Sequence, residues 1–131
     1  MDLHIDVRWL LDRQERVLGG RHLDVWDYSA LVAAVARHRV NTPHLEASDP
    51  DPYWRAAVLL DTIVLQRPLP ARNELYGYAV AVAYIEASGL TVSADQRQWI
   101  RLIEDIKSLH MDSYAIADRL RSWQHTPPSD S

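Results

Sequence analysis

The chain has no cysteine, a single lysine and no apolar run long enough to cross a bilayer, and each shortage excludes something. Without thiols there is no disulfide, no thiolate zinc site, no iron–sulfur cluster and no cysteine nucleophile. That composition fits a reducing compartment. The opening Met1-Asp2-Leu3-His4-Ile5-Asp6 has neither the basic start nor the apolar stretch of an export signal. Cytoplasm is therefore the expected location, with no membrane partner. A net charge of −4 has the wrong sign for a general nucleic-acid binder, which needs clustered cations to displace counterions. Also missing are the phosphate-cradling glycine loop with its lysine, the paired glycines of a dinucleotide site and the serine elbow of a hydrolase. His4, His22, His38, His44, His110 and His125 never recur at the four-residue spacing that would turn two rings toward one metal. No metal site is expected, and these histidines read as surface or loop groups with ordinary titration.

What is present is helical patterning over 131 residues, enough for one compact domain. Asp6 is placed to cap a first helix carrying Val7, Leu10, Leu11, Val17 and Leu18, and Gly19-Gly20 supplies its stop. Trp26 to Arg39 forms a second, with Asp24 or Asp27 as cap and Leu31, Val32, Val35 and Ala36 as its apolar repeat. Asn41-Thr42-Pro43 and Ser48-Asp49-Pro50-Asp51-Pro52 make a polar connector, with Asp51 and Pro52 suited to the cap and first position of a third helix. That helix runs through Ala56-Ala57-Val58-Leu59-Leu60 and Thr62-Ile63-Val64-Leu65 and is largely buried. Pro68 and Pro70 then force a loop over Arg67–Arg72. With Asn73 as cap, a fourth helix is apolar without interruption from Leu75 to Ile85, which makes it the expected hub of the fold. It ends at Ser88-Gly89, with Gly89 as the C′ residue.

Ser93 and Gln96 match a capping box for a fifth helix over Ala94–Ser108, with Trp99, Leu102, Ile103 and Ile106 facing inward. Asp112 caps a sixth carrying Tyr114, Ile116, Ala117, Leu120 and Trp123. The expectation is an all-α domain of about six helices over residues 1–125, with at most one small β-hairpin at Thr91-Val92. A flexible tail is expected over 126–131.

Two features carry possible chemistry. Asp61 interrupts an apolar helix, where an unpaired carboxylate is costly to bury; it either lines a pocket or pairs with one of the arginines. The loop from Arg67 to Arg72, leading into the amino end of the fourth helix, is a candidate anion site made of Arg67, Arg72, Asn73 and Glu74. Orphan N–H groups and the helix dipole favour an anion there, and guanidinium groups bind phosphates bidentately. The alternative is that both arginines face water. Tyr76, Tyr78, Tyr84, Trp26, Trp54, Trp99 and Trp123 read first as packing groups, and an exposed cluster among them would mark a partner surface.

The run from Trp54-Arg55-Ala56 through Arg67-Pro68-Leu69-Pro70-Ala71-Arg72-Asn73-Glu74-Leu75 to Tyr84-Ile85-Glu86-Ala87-Ser88-Gly89 resembles the Doc (death-on-curing) branch of the Fic superfamily. Most of the chain can be laid on that pattern. The resemblance implies a helical core with the active loop between two central helices. It also implies nucleotide-dependent, magnesium-assisted transfer of AMP or phosphate to a protein hydroxyl, and an antitoxin as protein partner. The family motif begins with a histidine base, and here Arg67 stands in that place. Leu69 stands for the packing Phe, Ala71 for the metal-binding acid and Arg72 for a small residue. Asn73 agrees with the motif, while Glu74 and Leu75 replace its Lys or Gly and its phosphate-holding Arg. An arginine stays protonated and is no general base. The resemblance with these departures implies a degenerate, non-transferring relative that acts as a binding or regulatory module and needs no cofactor. Two alternatives stand beside it. One is an active transferase using ATP or another nucleotide with Mg2+ through a reorganised Arg67, Arg72, Asn73 and Glu74. The other is a helical interaction domain, for example a homodimer.

Overall fold

A computed structural model of the chain describes residues 3–19, 24–40, 51–108 and 111–124. Among them are six helices and no strand: α1 (Val7–Leu18), α2 (Tyr28–His38), α3 (Pro52–Gln66), α4 (Asn73–Ala87), α5 (Gln96–Lys107) and α6 (Ser113–Ser122). The expected all-α architecture is present. The polar connector over 41–50 and the tail over 126–131 lie outside the described residues.

Most helix starts follow from local chemistry. Asp6, Asp27, Asp51 and Asp112 each accept a first-turn backbone N–H with their side chains. Asp51 does more, because Arg121 of α6 reaches it through Nε at 2.8 Å and Nη2 at 3.1 Å. The cap of α3 thereby ties α6 to it. Burial alone would raise the Asp51 pKa, but the Arg121 and Trp54 hydrogen bonds bring it below the ordinary value. The C-terminus of α4 is a Schellman motif, in which Leu90 N–H donates to Ile85 C=O and Gly89 N–H to Glu86 C=O. Gly89 at φ +84° fills the left-handed position that glycine takes without strain.

Two starts differ from the sequence expectation. The capping box of α5 is Asp95 with Gln98, not Ser93 with Gln96. Both patterns occur two residues apart, and Ser93 is drawn away because its N–H donates to Trp123 C=O at 2.6 Å. In α2 the helix begins at Tyr28 rather than Trp26, whose N–H donates to Pro68 C=O instead. Its inward face is Ala30, Leu31, Ala34, Val35 and His38, leaving Val32 and Ala36 exposed.

The hub is α3, not α4. Every residue from Tyr53 to Val64 is buried, and α2, α4, α5 and α6 all pack on this one helix. Gly77 of α4 lies so close to it that a Cβ there would stand 3.1 Å from Leu60 and Val64 side-chain atoms. The apolar run of α4 is only half matched by burial: Tyr76, Gly77, Val80, Ala81, Tyr84 and Ile85 are buried, whereas Leu75, Tyr78, Ala79, Val82 and Ala83 are partly exposed. The polar residues of α3 are met from α2. Arg37 donates to Thr62 Oγ1 at 2.6 Å and pairs with Asp61 at 3.4 Å. The buried Arg55 donates to the carbonyls of His38 and Val40 at the end of α2.

His38 is a core residue rather than a surface one. Its Nδ1 faces Val35 C=O at 2.5 Å and its Nε2 accepts the Ile5 N–H at 3.0 Å, so the neutral Nδ1–H tautomer fits both. Burial pulls its pKa down from 6.5 to about 4, helped by Arg39 and His4 and opposed by the backbone carbonyl of Val35. The ring holds the segment before α1, which Arg39 and Tyr84 also grip through Ile5 C=O and Leu3 C=O. Because the unfolded chain protonates this ring first, stability is full above pH 6.5 and falls as the pH drops toward 4. At about 1.4 kcal/mol per unit the loss is on the order of 3 kcal/mol. Urea unfolding of His38→Gln should show lower stability than the parent at pH 7 and a gap that narrows by pH 4.5.

Candidate functional site

The loop between α3 and α4 is entered and left through strained residues. Arg67 (φ 52°) ends α3 and Arg72 (φ 65°) precedes α4, both left-handed without being glycine. That conformation costs roughly 1 kcal/mol or more for a residue with a Cβ, so the surroundings have to hold it. Arg67 N–H still donates to Ile63 C=O at 3.1 Å. The Pro68 carbonyl accepts N–H groups from Trp26 at 3.0 Å and Asp27 at 3.3 Å, and Trp26 Nε1 donates to Arg67 C=O at 3.2 Å. The segment leading into α2 is thus clamped onto the loop.

Inside the loop Leu69 is fully buried, and Asn73 binds its backbone on both sides. The Asn73 carboxamide oxygen accepts Leu69 N–H at 2.9 Å, and its NH₂ donates to Leu69 C=O at 2.9 Å. Asn73 is therefore not the helix cap expected from its sequence position. It is the first residue of α4, and Arg72 occupies the cap position without any side-chain capping bond. A side-chain amide matches both backbone groups at once, which an ionised Asp, an acceptor only, cannot do.

Glu74 takes the place that an external anion would need. It lies in the first turn of α4 and pairs with Arg67 at 3.3 Å and Lys107 at 3.0 Å. Partial burial would raise its pKa, but the Lys107 hydrogen bond, its own backbone N–H and Arg67 together lower it. A carboxylate held ionised by two cations is a weak proton acceptor. Of the four candidate loop residues, Arg67 and Glu74 are joined to each other and Asn73 is committed to Leu69. Arg72 is exposed and has no ion pair among the described residues.

Asp61 sits about two turns before the loop on α3 and belongs to another cluster. Burial raises its pKa, Arg37 opposes this through charge and hydrogen bond, and Asp112 adds to the rise. Its partners lie on α2 and near α6, not in the loop. The tyrosines of α4 divide similarly: Tyr76 donates its hydroxyl to Leu10 C=O at 2.7 Å, and burial pushes its pKa up. Trp54, Trp99 and Trp123 are buried, whereas Trp26 is 68% exposed, with Tyr28 and Val32 exposed beside it on α2.

Two features were not read from the sequence. Lys107, the sole lysine, completes the Glu74 network from the end of α5. A groove of about 440 Å³ opens beside the first turns of α4, lined by Glu74, Leu75, Tyr78, Trp99, Ile100 and Ile103. The uninterrupted apolar run of α4 was the available signal, because a helix with no polar face leaves apolar surface wherever neighbours fail to cover it. Among the described residues, no group of three His, Asp or Glu side chains is arranged to hold a metal ion, and no helix is long and apolar enough to cross a membrane. Neither the family models nor the curated proteins compared with this chain include a match to it.

Replacing Asn73 with Ala strands a buried N–H and a buried C=O on Leu69. Urea denaturation should show a loss of about 2–4 kcal/mol. A loss under about 0.5 kcal/mol, the level of an ordinary surface change, would mean the clamp contributes nothing.

Proposed function

We propose that this chain is a binding module on a Fic/Doc-like scaffold whose loop does not transfer nucleotide or phosphate. The observation that supports this reading most is the closure of the loop upon itself. Glu74 is paired with Arg67 and Lys107, and Asn73 with Leu69. A transferase needs a base free to take a proton and donors free to meet phosphate oxygens. Arg67 supplies no base, and Glu74 is stabilised as the ion. The partner is a protein, of the antitoxin kind implied by the resemblance, and the surface offered to it is the outward side of α2. Tyr28 and Val32 are exposed there at 55% and 56%, and Trp26, in the segment leading into the helix, at 68%; exposed aromatics of this kind are enriched at protein interfaces.

The competing enzymatic reading rests on Arg72, exposed at the amino end of α4 and free of ion pairs among the described residues. Thermal denaturation with ATP, GTP, UTP or CTP, each with and without Mg2+, separates the two. The melting temperature should stay unchanged at millimolar nucleotide, because only a ligand that binds the folded state raises it. A saturable, magnesium-dependent rise that disappears in Arg72→Ala would overturn the binding-module reading and favour the transferase.

A further inference from the structure

The side of α4 turned away from α3 is apolar, partly open and charged only at its two ends. Leu75, Tyr78, Ala79, Val82 and Ala83 make up this side, each partly exposed. The groove beside Leu75 and Tyr78 continues it onto α5, where Ile100 is 48% exposed. Arg72 stands before the first turn and Glu86 in the last. Both are exposed, and neither is in an ion pair among the described residues.

The spacing of these two charges carries the inference. Arg72 and Glu86 are fourteen positions apart, close to four helical turns, so they lie on nearly the same side of the helix about 21 Å from each other. Ala79 is the residue midway between them. If a two-fold axis passes beside Ala79, an identical antiparallel helix brings Arg72 against the partner's Glu86 at one end and Glu86 against the partner's Arg72 at the other. The same operation sets Leu75 over the partner's Ala83, a large residue over a small one, at both ends. Ala79 meets its own copy where the helix axes come closest. A parallel pairing would instead oppose Arg72 to Arg72 and Glu86 to Glu86, and it would align the helix dipoles unfavourably.

We propose that this face of α4 is an isologous contact between two copies of this chain, antiparallel about Ala79, with the Arg72–Glu86 pairs setting its register. A self-complementary patch of this kind is what closed two-fold symmetry requires. The contact shares Arg72 with the enzymatic reading, but it is read as mass in solution and also through Ala79 and Glu86, so its failure and that of the functional reading are distinguishable.

Sedimentation equilibrium of the intact chain over a micromolar concentration series tests it. The parent should show twice the monomer mass, and Ala79→Arg should be monomeric while its circular dichroism melt stays that of a folded helical protein. Arg72→Glu and Glu86→Arg should each weaken dimerisation about tenfold or more, because each replaces two attractive contacts with two repulsive ones. An equimolar mixture of these two single variants should restore the dimer as a heterodimer. The double variant carrying both changes should restore it as a homodimer. A parent that stays monomeric throughout overturns the proposal. So does a dimer that Ala79→Arg leaves intact, or a mixture that fails to recover association.

Discussion

A helix buried on every side has to find partners for the charged side chains it carries, and α3 imposes that condition on the rest of this fold. Its buried stretch from Tyr53 to Val64 includes Arg55, Asp61 and Thr62. Unpaired, any of them would cost several kcal/mol, a large part of the net stability of a domain this size. The end of α2 answers all three: Arg37 serves Asp61 and Thr62, and the carbonyls of His38 and Val40 receive Arg55. From α6, Arg121 binds the cap Asp51 and fixes the other flank. Helices α4 and α5 are positioned by what they cover on α3, and α1 by its packing on α4 and α2.

The loop after α3 inherits this constraint. It has to reverse the chain while keeping Leu69 in the core, and no regular structure is available to satisfy that residue's backbone. The Asn73 carboxamide does so, and Trp26 and Asp27 secure the Pro68 carbonyl from the other side. The left-handed Arg67 and Arg72 are the conformational consequence. The Asn73 carboxamide is taken up by the Leu69 backbone, and the first turn of α4 carries its own anion in Glu74, paired with Arg67 and Lys107.

Much of the architecture was legible from residues that act locally. Asp6, Asp27, Asp51 and Asp112 each bond a donor two or three positions ahead, and Gly89 needs only its own backbone freedom. What was not legible depends on distant neighbours. Ser93 loses its capping role to Asp95 because Trp123, thirty positions away, takes its N–H. His38 looked like an ordinary surface histidine until Ile5 and Val35 closed around it. Hydrophobicity counted along the chain points to α4 as the hub, whereas α3 hides Asp61 against Arg37 and Arg55 against backbone carbonyls, charges that such counting treats as exposed. At the loop, the sequence puts Arg67, Arg72, Asn73 and Glu74 together, and the structure joins only Arg67 and Glu74 directly. Their internal pairing was not foreseen, since Lys107 joins from another helix and Asn73 turns back toward Leu69.

The loop from Arg67 to Arg72 is anchored in the core through Leu69, whose backbone the Asn73 side chain holds on both sides. Native-state hydrogen exchange of the Leu69 amide tests it most directly. If the Asn73 clamp holds as described, that amide should exchange only through openings that approach global unfolding in free energy, alongside the amides of α3. Exchange of Leu69 at the rate of an unprotected loop amide, while α3 stays protected, would contradict the account.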